Sequence, residues 1–264
     1  MLTDQQVAEF ERDGFVASGR LVGVAELQEL HAELARVIEQ RQTPGRPQPV
    51  RVVDLNRGQN EPAWQIVNIW RASAAFERLL RNATMVEEVA QLTGATQLRI
   101  WHDQVQYKPE RVGGTTEWHQ DGPAWGNIEP DIQVTGWVAL DDVDEDNGCM
   151  WMVPGSHRWG EVAAGELTQD LPTSYAGHEV ARVPRPLLRG RVHYHHCLTW
   201  HASFPNHTPR PRRAVGFHYM PQQTLYVESG EHIMQRFVEV ADGAMLAGTS
   251  FPQVYPISTD TITS

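Results

Sequence analysis

The first part of the chain carries its hydrophobic positions at three- and four-residue steps, and from Leu98 onward they fall at every second position. These are the periods of helix and strand. Thr3 with Gln6 forms a capping-box pattern that opens a helix through about Arg12, with Val7 and Phe10 on its buried side. Leu27, Leu30, Leu34, Val37 and Ile38 make the stripe of an amphipathic helix over residues 24–42. His31 lies on that stripe and reads as a satisfied core or boundary histidine. Residues 43–62, rich in Pro, Arg, Asn and Gly, read as a loop, and 64–70 as a strand. Helices over 72–80 and 84–92 follow, the second stopped by Gly94.

Over 98–107, Leu98, Ile100, His102, Gln104 and Gln106 share one face, and Arg99, Trp101, Asp103, Val105 and Tyr107 the other. The first face reads as the lining of a polar pocket, the second as a bulky exterior covered by helices. In the strand over 131–140, Ile132, Val134, Val138 and Leu140 form the apolar face, opposite Gln133, Thr135 and Trp137. Further strands are expected over 149–153, 187–196, 198–203 and 213–220. Residues 108–118, with Gly113-Gly114-Thr115-Thr116, and the irregular stretch 159–186 are expected to be lids. Residues 122–130 form a loop, and 141–148 an acidic turn without the spacing of a calcium loop. The pattern predicts one α+β domain over 1–264 built on an antiparallel barrel or jelly roll. Its helical part runs to about 95, its β core spans about 96–220, and residues 221–264 form an extension without a firm assignment.

The formal charge of −11, from 22 basic and 33 acidic residues, disfavours nucleic acid or an anionic membrane as partner. Lys108 is the only lysine, which leaves Arg to anchor any anionic ligand and disfavours Schiff-base chemistry. Cys149 and Cys197 give neither a disulfide framework nor a zinc ribbon. The start of the chain lacks a signal-peptide pattern, and no apolar run approaches the ~20 residues of a membrane span. A cytoplasmic protein, monomeric or homodimeric, acting on a small molecule is expected.

Candidate chemistry centres on Trp118-His119-Gln120-Asp121. At strand spacing, His119 and Asp121 point to one side, and His201 is the best candidate for a third donor. Two His and one carboxylate with open positions is the arrangement of non-haem Fe(II) oxygenases. Arg212 lies eleven positions beyond His201, with Pro205, Asn206, Pro209 and Pro211 between them. A turn there would make the strands ending near Ser203 and starting near Arg212 antiparallel neighbours. Parity turns Arg212, Ala214, Gly216 and His218 inward, and Arg213, Val215, Phe217 and Tyr219 outward. A rival metal reading uses His193-x-His195 as a cupin-like pair. A zincin helix motif and a nucleophile elbow are both missing.

His119-x-Asp121, the Trp137 strand, Val153-Pro154-Gly155-Ser156-His157, and His201 followed by Pro205-Asn206 and Pro211-Arg212-Arg213-Ala214 resemble the phytanoyl-CoA dioxygenase family. The likeness extends from the opening Leu2-Thr3 to Met220 and is best between Gln104 and Met220. Gly190-Arg191 departs from the family's frequent Gly-Asp. The resemblance implies a double-stranded β-helix (jelly-roll, cupin-like) core, with the N-terminal helices on its outer face, using Fe(II), 2-oxoglutarate and O2. It implies His119, Asp121 and His201 as iron ligands and Arg212 as the anchor for the distal carboxylate of 2-oxoglutarate. Ser203, Trp137 and Gln104 match positions that touch the cosubstrate.

The implied reaction oxidises a C–H bond of a metabolite and converts 2-oxoglutarate to succinate and CO2. Because Asp121 is kept, hydroxylation is favoured over halogenation, and desaturation, ring closure and epimerisation stay open. His102, Gln106, Gln120 and Trp125 are expected on the substrate side. The expected substrate is a small, partly polar metabolite of a biosynthetic pathway, with an acyl-CoA as runner-up. The alternatives are non-oxidative chemistry at His193 and His195, or a binding protein on the same fold.

Overall fold

Two antiparallel sheets face one another, and the polarity of the strands decides what lies between them. The computed structural model describes residues 1–55, 63–111, 114–163, 166–168 and 170–257. Helix α1 (Asp4–Asp13) carries the predicted capping box, with Thr3 accepting from the Gln6 amide. It ends at Gly14, whose φ of +83° suits glycine and where a Cβ would run into His157 and Thr199. After β1 (Phe15–Arg20) come α2 (Val24–Glu39), β2 (Arg51–Asp54), β3 (Trp64–Val67), α3 (Ala74–Leu80) and α4 (Ala83–Thr93). The barrel strands are β4 (Leu98–Lys108), β5 (Thr116–His119), β6 (Val134–Ala139), β7 (Met150–Met152), β8 (Val183–Arg185), β9 (Arg191–His196), β10 (His201–Ser203) and β11 (Arg212–Pro221). A last strand, β12 (Gln253–Tyr255), pairs with β4.

The larger sheet runs β1-β9-β6-β11-β4-β3-β2, and the smaller β8-β7-β10-β5. This is the predicted double-stranded β-helix. Val134, Val138, Val192, Val215, Phe217 and Tyr219 form one outward face, which Leu27, Leu30 and Leu34 of α2, Phe76 and Leu79 of α3, and Met85 and Val89 of α4 cover. His31 hydrogen-bonds the Leu140 carbonyl at 3.1 Å, the satisfied boundary histidine expected of it.

The structure corrects several expectations. Residues 51–54, placed in a loop, form β2, and 15–20, left unassigned, form β1. Strand β1 buries Val16 in the helix-covered core and Phe15 against Trp137 and Met150, so no polar alternation marks it. In β4 the alternation breaks. The register with β11 shifts between His218, opposite His102, and Tyr219, opposite Ile100, leaving Trp101 as a bulge. Leu98 and Ile100 therefore join Val105 in the helix-covered core, whereas Trp101 packs on Trp125, Met234 and Phe251. The extension without an assignment thus supplies part of the barrel's wall.

Strands β10 and β11 are not neighbours. Strand β10 pairs with β5 and β7, and β11 with β4 and β6. The turn between them crosses from one sheet to the other, organised by Asn206, whose Nδ2 donates to the Pro109 and Arg210 carbonyls at 2.9 and 2.6 Å. The described part of 159–186 is not a lid over the barrel mouth. Val162, Leu171 and Val180 pack on Trp118, Trp200 and Ala202, the outer face of the small sheet. The expected lid over 108–118 includes residues 112 and 113, which lie outside the described residues. Among the described residues, no helix is long and apolar enough to cross a membrane.

Candidate metal centre and cosubstrate pocket

His119 ends β5 and His201 opens β10, and the two residues are direct cross-strand partners. Their rings lie 4.1 Å apart, centroid to centroid. Asp121 reaches the same point by a route other than the strand pleat. The strand stops at His119, and Asp121 has helical angles (φ −73°, ψ −45°) at the head of a 3-10 turn. Its backbone N–H donates to the Cys197 carbonyl at 2.9 Å, which fixes the turn.

The donor atoms are orientated for a metal. Nδ1 of His119 lies 2.7 Å from the Glu117 carbonyl, and Nδ1 of His201 2.9 Å from the Thr199 carbonyl. A carbonyl only accepts, so each Nδ1 carries the proton and each Nε2 keeps its lone pair. Both Nε2 atoms lie 3.7 Å from Asp121 Oδ1. Burial, and then His119 beside it, pushes His201 down to about 3, so its imidazole is neutral and ready to ligate. His119, Asp121 and His201 offer three atoms within 4.8 Å of one another, the one such group among the described residues. Two imidazoles and a carboxylate oxygen on one side suit a divalent iron with open positions.

The second oxygen, Oδ2, lies 3.3 Å from Thr135 Oγ1 and 3.3 Å from His195 Nε2. His195 is thus turned to the carboxylate, and its supposed partner His193 packs edge-on against Trp137 with neither ring nitrogen hydrogen-bonded. The rings of the rival pair stack, centroids 5.3 Å apart, and the pair belongs to no group of three donors among the described residues. Thr135 and His218 are expected to face inward, but the link from His218 through the Thr135 hydroxyl to Asp121 is not legible in the sequence. The signal was their parity in β6 and β11.

Two chambers adjoin these atoms. The inner one, about 40 Å³, is bounded by Asp121, Trp125, Thr135, Trp137, His195, His201 and His218. The outer one, about 420 Å³, opens past His119 and Arg212 to Trp64, Gln65 and residues 114–117. Gln104 and Gln106 line both. Arg212 is only 1% exposed, yet no ion pair neutralises it among the described residues. Its Nη1 donates to the Gln106 carbonyl at 3.1 Å and its Nε has no partner. Burial pushes it down to about 10, so it remains a cation at neutral pH. A buried guanidinium with spare donors fits the free carboxylate of 2-oxoglutarate. Arg213 points outward, as parity predicts, and grips Asp141 at 2.8 and 2.7 Å.

The remaining expected residues divide. Trp137 stands beneath Arg212, with its Nε1 donating to Gln106 Oε1 at 3.4 Å. Ser203 is buried two residues beyond His201 on the same strand. Trp125 lines the inner chamber. His102 packs behind His218, ring centroids 4.4 Å apart. Gln120 turns away from the site. Its Nε2 donates to the Gly160 and Leu198 carbonyls, both at 2.9 Å, and its Oε1 accepts the Val162 amide at 2.8 Å. Every polar atom of that side chain is committed to backbone. Lys108 is equally committed, with Nζ donating to the Gly114, Ser203 and Phe204 carbonyls at 2.8, 2.9 and 2.7 Å.

A model of the phytanoyl-CoA dioxygenase (PhyH) family matches residues 10–214. Phytanoyl-CoA dioxygenase domain-containing protein 1 of Bos taurus is 32% identical over 174 residues, 60% of this chain and 58% of that one. The chain thus spans little more than half of that relative. The non-haem α-ketoglutarate-dependent carbocyclase SnoK from nogalamycin biosynthesis superposes with a TM-score of 0.75 at 25% identity, covering 96% of both chains. The epimerase SnoN, solved with Fe3+, α-ketoglutarate and nogalamycin RO, gives 0.77 at 25% identity, covering 95% of this chain and 98% of that one. With a family model over most of its length, and an iron- and α-ketoglutarate-bound structure sharing its fold, the chain belongs to the phytanoyl-CoA dioxygenase family and is a 2-oxoglutarate-dependent non-haem iron oxygenase.

Proposed function

We propose that His119, Asp121 and His201 hold Fe(II), that Arg212 binds the distal carboxylate of 2-oxoglutarate, and that the enzyme oxidises a C–H bond of a small-molecule metabolite. One observation carries this reading. Both histidines present Nε2 to one oxygen of Asp121, and an unpaired buried arginine stands in the adjoining chamber. Trp137, Gln104 and Ser203 complete the cosubstrate's surroundings. When bound, iron with 2-oxoglutarate and O2 supplies the oxidising power, and succinate and CO2 leave.

The protein's own contribution is placement. Trp125 and Trp137 wall the inner chamber, and Arg212, buried beside the outer one, meets a carboxylate away from bulk water, which strengthens their attraction. The outer chamber gives the substrate an aromatic wall at Trp64 and amide hydrogen bonds from Gln65, Gln104 and Gln106. These surroundings favour a partly polar metabolite, and a biosynthetic role agrees with the likeness to SnoK and SnoN of nogalamycin biosynthesis. Retention of Asp121 favours hydroxylation over halogenation, while the carbocyclase and epimerase illustrate other outcomes on this fold.

Equilibrium dialysis of Fe(II) without oxygen tests the ligand set. His119→Ala and His201→Ala are expected to lose tight binding, while His193→Ala keeps it. Iron retained by both of the first two variants and lost on changing His193 would move the metal to the rival strand.

A further inference from the structure

We infer that His195 and Thr135, the latter backed by His218, are positioning residues that hold Asp121 as a one-oxygen ligand. The inference rests on Asp121 being a metal ligand. Its two oxygens have different surroundings. Oδ1 faces both histidine Nε2 atoms at 3.7 Å. Oδ2 faces His195 Nε2 and Thr135 Oγ1, each at 3.3 Å. Thr135 Oγ1 in turn lies 2.8 Å from His218 Nδ1.

The proton inventory gives this network one direction. A threonine hydroxyl has a single hydrogen. If it donates to the Asp121 carboxylate, it must accept from His218, which places that proton on Nδ1. The carboxylate only accepts, so His195 carries a proton on Nε2, while its Nδ1 has no partner. His195 and Thr135 are each 1% exposed, so both donors are shielded from bulk water.

The consequence concerns coordination. A carboxylate that chelates through both oxygens takes two positions on a metal. With two imidazoles it would leave two of six for a cosubstrate that chelates and for O2. Two donors on Oδ2 oppose that chelation and keep three positions open. His195 thus has a role that neither ligation nor space-filling assigns to it. The three residues come from separate strands, β6, β9 and β11, which pair in the order β9-β6-β11. The sheet therefore sets the carboxylate's rotation through its register.

The test is Co(II) affinity of the metal-free full-length protein, followed by visible absorption and equilibrium dialysis, with circular dichroism melts as folding controls. His195→Phe keeps a ring and removes the donor, and Thr135→Val keeps the shape and removes the hydroxyl. Each is expected to weaken Co(II) binding by about 10- to 100-fold, the usual effect of losing a partner that orientates a ligand. His195→Gln restores an N–H donor and is expected to recover most of the loss. If either loss variant folds and binds Co(II) like the wild type, while His201→Ala does not bind, the inference fails and the ligand set stands. If His195→Gln is folded but as weak as His195→Phe, the ring rather than its donor matters, and the inference is overturned. If His201→Ala binds Co(II) normally, the ligand set itself is wrong.

Discussion

Replacing Arg212 by alanine should remove cosubstrate binding and leave the fold intact. In the free protein this guanidinium is buried, unpaired by any carboxylate among the described residues, and bonded once, to the Gln106 carbonyl. Its desolvation is therefore offset only when an anion arrives. Truncating one member of a buried, hydrogen-bonded charge pair costs about 2–5 kcal/mol, or about 30- to 5,000-fold in affinity. Isothermal titration of 2-oxoglutarate into Co(II)-loaded protein measures this directly. Arg213→Ala is the control, because Arg213 faces outward onto Asp141 and should change cosubstrate affinity little. Arg212→Met should also leave the melting temperature of the metal-free protein unchanged or raised, since an uncompensated buried charge is exchanged for apolar volume. Equal losses from the two alanine variants, or normal binding by Arg212→Ala, would refute the reasoning.

Two further outcomes follow from the same contacts. Gln120→Leu strands two carbonyls and an amide in a buried position, so it should lower stability by about 1–3 kcal/mol in urea melts while cosubstrate affinity is kept; normal stability with lost substrate turnover would return Gln120 to the substrate site. Burial pushes His196 and His232 each down to about 4, below the ordinary value of about 6.5 in the unfolded chain. Between those values the native state binds fewer protons than the unfolded one. Stability should therefore fall as pH drops from about 6.5 toward 4, by up to about 1.4 kcal/mol per pH unit for each group. Urea midpoints that rise on acidification of the metal-free protein would contradict this.

Much of the site was legible because β11 alternates without interruption. Parity alone separated Arg212 and His218 from Arg213 and Phe217, and the same reasoning placed Thr135 and Trp137 inside. It failed where the chain departs from regular pleat. Neither glycine nor proline marks the bulge at Trp101, so Leu98 and Ile100 were put on the wrong face. Asp121 was expected to follow His119 along a strand, but a backbone bond to Cys197 turns it instead. Gln120 sits between two candidate ligands and so invited a chemical role, although its amide serves three backbone groups. The sequence offers His195 either as a metal donor or as a hydrogen-bonded imidazole filling the barrel, and it does not show which atom the ring meets. The short spacing from Ser203 to Arg212 suggested neighbouring strands, whereas the Asn206 turn carries the chain between sheets.

Anaerobic absorption spectroscopy of the wild-type protein with Fe(II) and 2-oxoglutarate tests the central claim most directly. A weak visible charge-transfer band is predicted when both are present, with none for either alone and none in His201→Ala. A wild-type protein that binds Fe(II) but shows no band with 2-oxoglutarate, or a band that survives loss of both His119 and His201, would contradict it.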